Sequence, residues 1–305
     1  MNHSKVVGGS TAARLIACPG SRALADQMPP QPSSIYADRG SLCHEAMSII
    51  LDQEVNPVET LGITFEAQTM TQELLDEKIF PALNLLDEID PFKKMEFAVE
   101  ATVDFGKYLP GVFGSADLLG RIDNKAIVID WKFGDGVAVS AEENKQMLFY
   151  AAAAMRTPEY QWVFDGATEI ECVIVQPPEV KRWVTTPARV KKFEAELKKA
   201  VKQSESPAAK IQHGDHCRWC PAKPICPAMT GSAERALAIK VDGLNAEHIG
   251  AYMANAELLE GWIKDLRALG MQMLEAGRTV PGWKLVAKRG TRQWTDEVKA
   301  MLALH

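Results

Sequence analysis

The apolar positions of the chain change period several times, and the changes mark out its elements. From Phe97 to Phe105 apolar and polar residues alternate, as on a half-buried strand. Asp117 to Ile122 and Ala126 to Trp131 are two more apolar runs, separated by Asp123-Asn124, a dipeptide suited to a tight β-hairpin. With a turn over Tyr108 to Gly111, the three runs predict a meander. Glu169 to Gln176 is apolar at consecutive positions and rich in β-branched residues, which predicts a buried strand, with Trp183 to Thr186 pairing beside it.

Helical spacing holds elsewhere. From Asp38 onward Leu42, Ala46, Ile49 and Ile50 form an apolar side with His44 on a neighbouring face. Thr69 to Ile89 predicts a helix interrupted or bent near Pro81, Ala141 to Met155 another, and Pro187 to about Ser204 a charged one. Ser10 or Thr11 is expected to cap a short helix leading into Cys18-Pro19-Gly20-Ser21. Leu244 to Ala276 predicts one or two helices with weak points at Gly261 and Gly270, and Trp283 to Val286 a strand. The order helix, meander, helix, strand, helix indicates an α/β core whose mixed central sheet is flanked by helices.

Register decides what the hairpin can do. An even loop centred on Asp123-Asn124 or Asn124-Lys125 sets Asp117 opposite Asp130 or Lys132, and period two then puts all three on one face. An odd loop sets Asp117 opposite Trp131 and breaks the site. Two carboxylates facing across a strand pair repel, so such a site calls for a cation. A divalent metal on oxygens with a lysine two residues along suits phosphodiester hydrolysis.

Composition narrows the setting. The 305 residues are 47% apolar, enough for a large core, and no apolar run reaches the ~18 residues of a membrane span. The start lacks the apolar segment of a secretory signal, so a cytoplasmic location is expected and the six cysteines read as ligands or buried thiols. A net charge of -6 runs against a generally basic nucleic-acid binder, yet Lys181 to Lys202 carries eight basic and two acidic residues.

About fourteen residues after Lys132 come Gln146 and Tyr150, four apart on one helical face, and upstream His44 opens a helix. Histidine, aspartate, Asp-x-Lys and Gln-x-x-x-Tyr, in this order, resemble the RecB-like branch of the PD-(D/E)XK nucleases. The resemblance implies a restriction-endonuclease-like core acting on DNA. By it His44, Asp117 and Asp130 are ligands for Mg2+ or Mn2+, with the backbone carbonyl of Trp131 a further one. Lys132 orients or activates the attacking water, and Gln146 and Tyr150 position the DNA strand and the lysine. Glu100 is a weaker candidate.

Cys217, Cys220 and Cys226 are spaced Cys-x2-Cys-x5-Cys among prolines, a loop of thiolates that needs a fourth ligand, for which Cys18 is the natural candidate. One cysteine near the N-terminus plus this trio resembles the iron-sulfur RecB-like nucleases, AddB-like and CRISPR-associated, and implies a 4Fe-4S cluster clasping the core. Structural zinc is the alternative, with His213 and His216 as substitute ligands. Cys43 and Cys172 read as buried thiols.

The tail sets Lys284, Lys288, Arg289 and Arg292 around two tryptophans and, with the cysteine segments, resembles a phage-associated subfamily of RecB-like proteins. The final helical pattern runs to His305, which leaves a longer natural protein open. Residues 1–230 are expected to form the nuclease core and 231–305 a small helical appendage. The function implied is a metal-dependent DNA nuclease, an exonuclease of phage recombination, replication or DNA processing, in the host cytoplasm if phage-encoded, with a phage recombination or replication protein as partner. Its alternative is a catalytically idle nuclease fold that binds DNA or a partner. The oligomeric state is not legible.

Overall fold

The computed structural model describes residues 4–30, 33–134, 138–231 and 246–286. They fall into two compact units, one of Met1–Ala222 with Cys226–Thr230 and one of Lys223–Ile225 with Gly231–His305.

The larger unit is built on a five-stranded sheet of β3 (Glu96–Asp104), β4 (Phe113–Ile122), β5 (Lys125–Trp131), β6 (Glu169–Gln176) and β7 (Glu179–Thr185), side by side in that order. Only β5 and β6 run parallel, so the central sheet is mixed, as expected. The parallel pair requires a crossover, and helix α6 (Lys145–Ala154) lies within it. A smaller hairpin of β1 (Thr64–Phe65) and β2 (Gln68–Thr69), too short for a periodic signal, stands apart from this sheet.

Each face of the sheet is covered by helices that bury an apolar stripe. On one side lie α1 (Gly9–Ala17), α6 and α8 (Pro187–Ser204), whose buried residues join Leu119, Val128 and Ile174 in one core. Ala151 to Ala154 let α6 approach the strands closely, and Phe149 and Phe193 fill the space between elements. On the other side α3 (Ile35–Gln53) packs Leu42, Cys43, Ala46, Met47 and Ile50 against a core holding Leu118, Ile127, Ile129 and Trp131. At about 1.5–3 kcal/mol per fully buried large apolar side chain, these two layers hold the fold.

Several local expectations are corrected. Helix α1 begins at Gly9 with Gly8 as its cap, and Thr11 closes the turn from inside by accepting the Gly8 amide at 3.0 Å. Helix α3 starts at Ile35, where Ser34 accepts the Ala37 amide. The helix expected to be interrupted or bent near Pro81 is interrupted, as α4 (Gln72–Leu74), a π turn over Leu75–Ile79 and α5 (Phe80–Ile89), and it begins at Gln72 rather than Thr69. A proline offers no N–H to the carbonyl four residues back, and a widened turn is one way for the ladder to accommodate that. Asn144 caps α6 through the amides of Gln146 and Met147, so residues 141–144 are not helical. Strand β7 starts four residues before the expected Trp183.

In the smaller unit, α9 (Ala246–Glu275) is one unbroken helix despite Gly261 and Gly270, since an interior glycine costs only about 1 kcal/mol. The Lys223 ammonium is buried and pairs with Asp265 at 2.7 Å, and a Cβ on Gly261 would stand 3.3 Å from it. The strand expected over 283–286 is absent: Val280 and Trp283 form one isolated bridge around a turn with Gly282 at φ 82°, and residues 284–286 are irregular. Lys288, Arg289 and Arg292 lie outside the described residues.

Candidate active site

The hairpin loop has two residues. Ile122 pairs with Lys125 and Leu118 with Ile129, and one step further sets Asp117 opposite Asp130. Asp123 takes the left-handed φ of 53° that closes the turn. On its other side, Asp117 falls opposite Glu100, between the pairs Val99 with Leu118 and Ala101 with Ala116. Glu100, Asp117 and Asp130 therefore form one row across three strands.

The row interrupts the pleat. Glu100 has φ 46°, in the left-handed region, inside an otherwise extended strand. Across this point the faces exchange: Val99 and Leu118 pack with the α3 side, whereas Ala101 and Ala116 pack with the α6 side. A one-residue change of phase in both strands keeps the register while turning the two acids away from a regular alternation.

Three residues converge at this break. His44, Glu100 and Asp117 each offer a ligand atom within 4.8 Å of the others, with His44 Nδ1 3.5 Å from Asp117 Oδ2. Asp117 Oδ2 also accepts the Trp131 amide at 2.7 Å, and Ser115 donates to Glu100 Oε2 at 3.0 Å. Phe133 packs edge-on against the His44 ring, at 5.2 Å between centroids.

Asp130 stands beside this set, 2% exposed, with the Lys132 ammonium 2.6 Å from its Oδ2, an atom that has no other partner. Lys132 donates to Gln146 Oε1 at 3.1 Å, and Gln146 donates in turn to the Tyr150 hydroxyl at 2.9 Å. The two glycines that face this chain are close approaches: a Cβ on Gly9 would meet the Tyr150 ring at 2.7 Å, and one on Gly114 would meet it at 3.4 Å. They let α1 and β4 press against the tyrosine and fix it.

Electrostatically the site is short of positive charge. Burial and then the charge of Asp130 push the Asp117 carboxyl well above the usual range, against the opposing Trp131 amide and Lys132. Burial likewise raises Asp130, opposed by Lys132, and raises Glu100, opposed by the Ser115 hydroxyl. Burial first, and Lys132 second, lower His44 to about 4, so its imidazole is neutral at pH 7 and keeps a lone pair for a ligand bond. Burial raises the Tyr150 phenol, which stays protonated.

Sequence reasoning undervalued Glu100 and passed over Ser115. The signal for Glu100 was an acid at mid-strand in a neighbouring run; its partnership with Asp117 follows only from the register. The Trp131 side chain belongs to the core and its amide is what touches the site.

A second cluster gathers the cysteines. Cys18 ends α1, and a Cβ on Gly20 would lie 2.8 Å from the Ala209 carbonyl oxygen, so only glycine lets residues 209–211 pass so closely. This brings the Gln212 amide within 3.3 Å of Cys18 Sγ. Burial first, then the nearby Cys220, Cys226 and Cys18, raise the Cys217 thiol. All six cysteines are free, and Cys43 and Cys172 are buried in apolar surroundings that raise their thiols to about 11 and about 12. Among the described residues no three of the four clustered sulfurs come within 4.8 Å of one another. His216 is half-buried, with Nε2 2.8 Å from the Gln212 carbonyl.

The basic stretch on β7 and α8 is partly spent on internal pairs. Arg182 bonds Glu171, Arg189 bonds Glu143, and Lys198 lies 3.9 Å over the Tyr108 ring. No helix among the described residues is long and apolar enough to cross a membrane.

A family model described as "Protein of unknown function (DUF2800)" matches residues 3–305. Among solved structures, the chain is similar to the alkaline exonuclease LHK-Exo from Laribacter hongkongensis, with 12% identity, 67% of this chain and 89% of that one covered, and a TM-score of 0.31. The same enzyme in complex with dAMP matches at 14% identity over 64% and 90%, with a TM-score of 0.27. The protein SSO0001 matches at 16% identity over 71% and 96%, with a TM-score of 0.30.

Proposed function

The chain belongs to the DUF2800 family, and we propose that it is a divalent-metal-dependent nuclease that hydrolyses phosphodiester bonds in DNA. The observation that carries this reading is the meeting of two sets at one point of the sheet, His44 with Glu100 and Asp117, and Asp130 with Lys132, Gln146 and Tyr150. The donor set fits a hard divalent cation: carboxylates that burial pushes above their usual range, a neutral imidazole, and an Asp130 oxygen with no partner but an ammonium. His44, Glu100 and Asp117 would hold Mg2+ or Mn2+, with Asp130 and the Trp131 carbonyl as further candidates. Such an ion lowers the pKa of a water molecule and offsets charge on the phosphate.

The chain's own residues supply the rest. Lys132 cannot wander, because Asp130 holds its ammonium on one side and the Gln146 carbonyl on the other. It presents a cation at the edge of the carboxylate row, where it stabilises negative charge developing on a phosphate or orients the attacking water. Tyr150 fixes the Gln146 amide and thereby the lysine. The finer assignments rest on resemblance: an exonucleolytic mode on the RecB-like motifs, service in phage recombination, replication or DNA processing beside a phage protein on the tail and cysteine segments, and with it action in the host cytoplasm.

The four-cysteine loop fits a 4Fe-4S cluster held by Cys18, Cys217, Cys220 and Cys226. Structural zinc on the same four thiolates is the alternative. Residues some two hundred positions apart are tied together there, so the centre serves the fold.

The test is cleavage of end-labelled linear DNA with Mn2+, using Asp130→Ala as control. Cleavage that disappears in the variant supports the nuclease. Wild-type protein that binds DNA but never cuts it favours the idle binding module.

A further inference from the structure

Next to the carboxylate row lies a groove of about 890 Å3. It starts at Glu100 and Ser115, follows β3 past Thr102 to Asp104, and is walled on the other side by Phe113 and the loop from Pro110 to Gly114. From Glu100 to Asp104 it spans about 13 Å at ~3.3 Å per strand residue. Its volume is in the range of small-ligand sites, about 300–1,000 Å3. The position of the groove is fixed by the pleat. Thr102 pairs with Ser115 and Asp104 with Phe113, so two adjacent strands present hydroxyls near the row and an aromatic ring further out.

The chemistry of the walls is lopsided. The described lining has two carboxylates and no lysine, arginine or histidine, so it repels phosphate everywhere except at the end where the row can hold a cation. What remains along the walls suits a neutral, flat, hydrogen-bonding group: the half-buried Phe113 for stacking, and Thr102, Ser115 and Asp104 for polar edges. Asp104 is oriented by the Gly106 amide, which donates to its Oδ1 at 2.6 Å.

We infer that this groove takes the base and sugar of one nucleotide flanking the scissile phosphate, with Phe113 as the stacking surface. The inference rests on the nuclease reading and adds which residues recognise the flanking nucleotide. The phosphate stays at the row and the nucleoside extends along β3.

The experiment compares wild type, Phe113→Ala and Phe113→Leu on two kinds of oligonucleotide with Mn2+. One is fully based, and the other carries an abasic residue on either side of the cleaved bond. Affinity for the same strands is read in parallel by anisotropy with Ca2+. On normal DNA both variants should raise KM about tenfold, the order expected for one lost stack, and leave kcat within about twofold. An abasic residue on one side should cost wild type the same factor and cost the variants nothing more. Retained melting of Phe113→Leu guards against a folding defect. Variants that lose equally on normal and abasic DNA, or lose nothing on either, overturn the groove while leaving the nuclease intact. A wild type that neither cuts nor binds removes both.

Discussion

Replacing Asp117 by asparagine tests the claim that the carboxylate row is held together against its own charge. In the metal-free protein, Asp117 faces Asp130 across a strand pair, where carboxylates ~5 Å apart at an effective dielectric of ~20 repel by about 3 kcal/mol. Asparagine keeps an oxygen for the Trp131 amide and discards the charge. At pH 8 with EDTA, Asp117→Asn should therefore be more stable than wild type by about 1–3 kcal/mol, or roughly 3–9 °C in Tm for a domain of this size. The sign follows from the raised pKa: the folded state holds its proton more tightly than the unfolded chain. The penalty on wild type is thus absent below the unfolded value near 3.9 and grows as pH rises to the folded value. The advantage of the variant should shrink toward pH 4. Adding Mn2+ should reverse the order, because a ligand at ~1,000 times its Kd stabilises wild type by about 4.1 kcal/mol and the variant has lost a ligand. Scanning calorimetry at pH 4.5, 6 and 8, with and without Mn2+, measures all three effects. A variant less stable than wild type in EDTA at pH 8, or equal Mn2+ shifts in both proteins, would refute the reasoning.

Other substitutions probe the remaining parts. Lys132→Ala should leave Mn2+ affinity, followed by titration calorimetry, within a fewfold, yet reduce single-turnover cleavage by about 10²–10⁴, the range for a positioned charge or proton-transfer group. Cys217→Ser should abolish iron, sulfide and the broad absorption near ~400 nm expected of such clusters, and should lower Tm, since the centre ties residue 18 to residues 217–226; zinc in the wild type by elemental analysis would assign the site to the alternative metal. Gly9→Ala should destabilise by about 1–3 kcal/mol in chemical denaturation and disturb Tyr150, because its Cβ would stand 2.7 Å from the ring. Gly40→Ala, where a Cβ meets nothing within 4 Å, should be neutral or stabilise α3 by up to about 1 kcal/mol.

The local chemistry of the chain settled more of the site than its global shape. Asp123-Asn124 between two apolar runs marked the turn and put Asp117, Asp130 and Lys132 within reach of one face, while the choice of Asp130 over Lys132 as the residue opposite Asp117 came from the pairing of Ile122 with Lys125. Helical spacing likewise set Gln146 and Tyr150 on one face, since a period is a property of neighbours along the chain. Helix interruptions at glycine were less legible: glycine weakens a helix by an amount that a long run can absorb, as α9 shows. What the tertiary structure decided were the contacts between distant segments. The left-handed Glu100 sits in a run that alternates normally in sequence, and only pairing with β4 and the approach of α3 turn it, with His44, into part of the row. The path of residues 209–212 past Gly20, which brings Cys18 to the other thiols, is equally silent in the sequence. The physical reason is the same in both cases. Periodicity reports which face of an element is apolar, whereas which elements meet is fixed by the packing of the whole core, and a polar residue drawn into that packing leaves no period of its own.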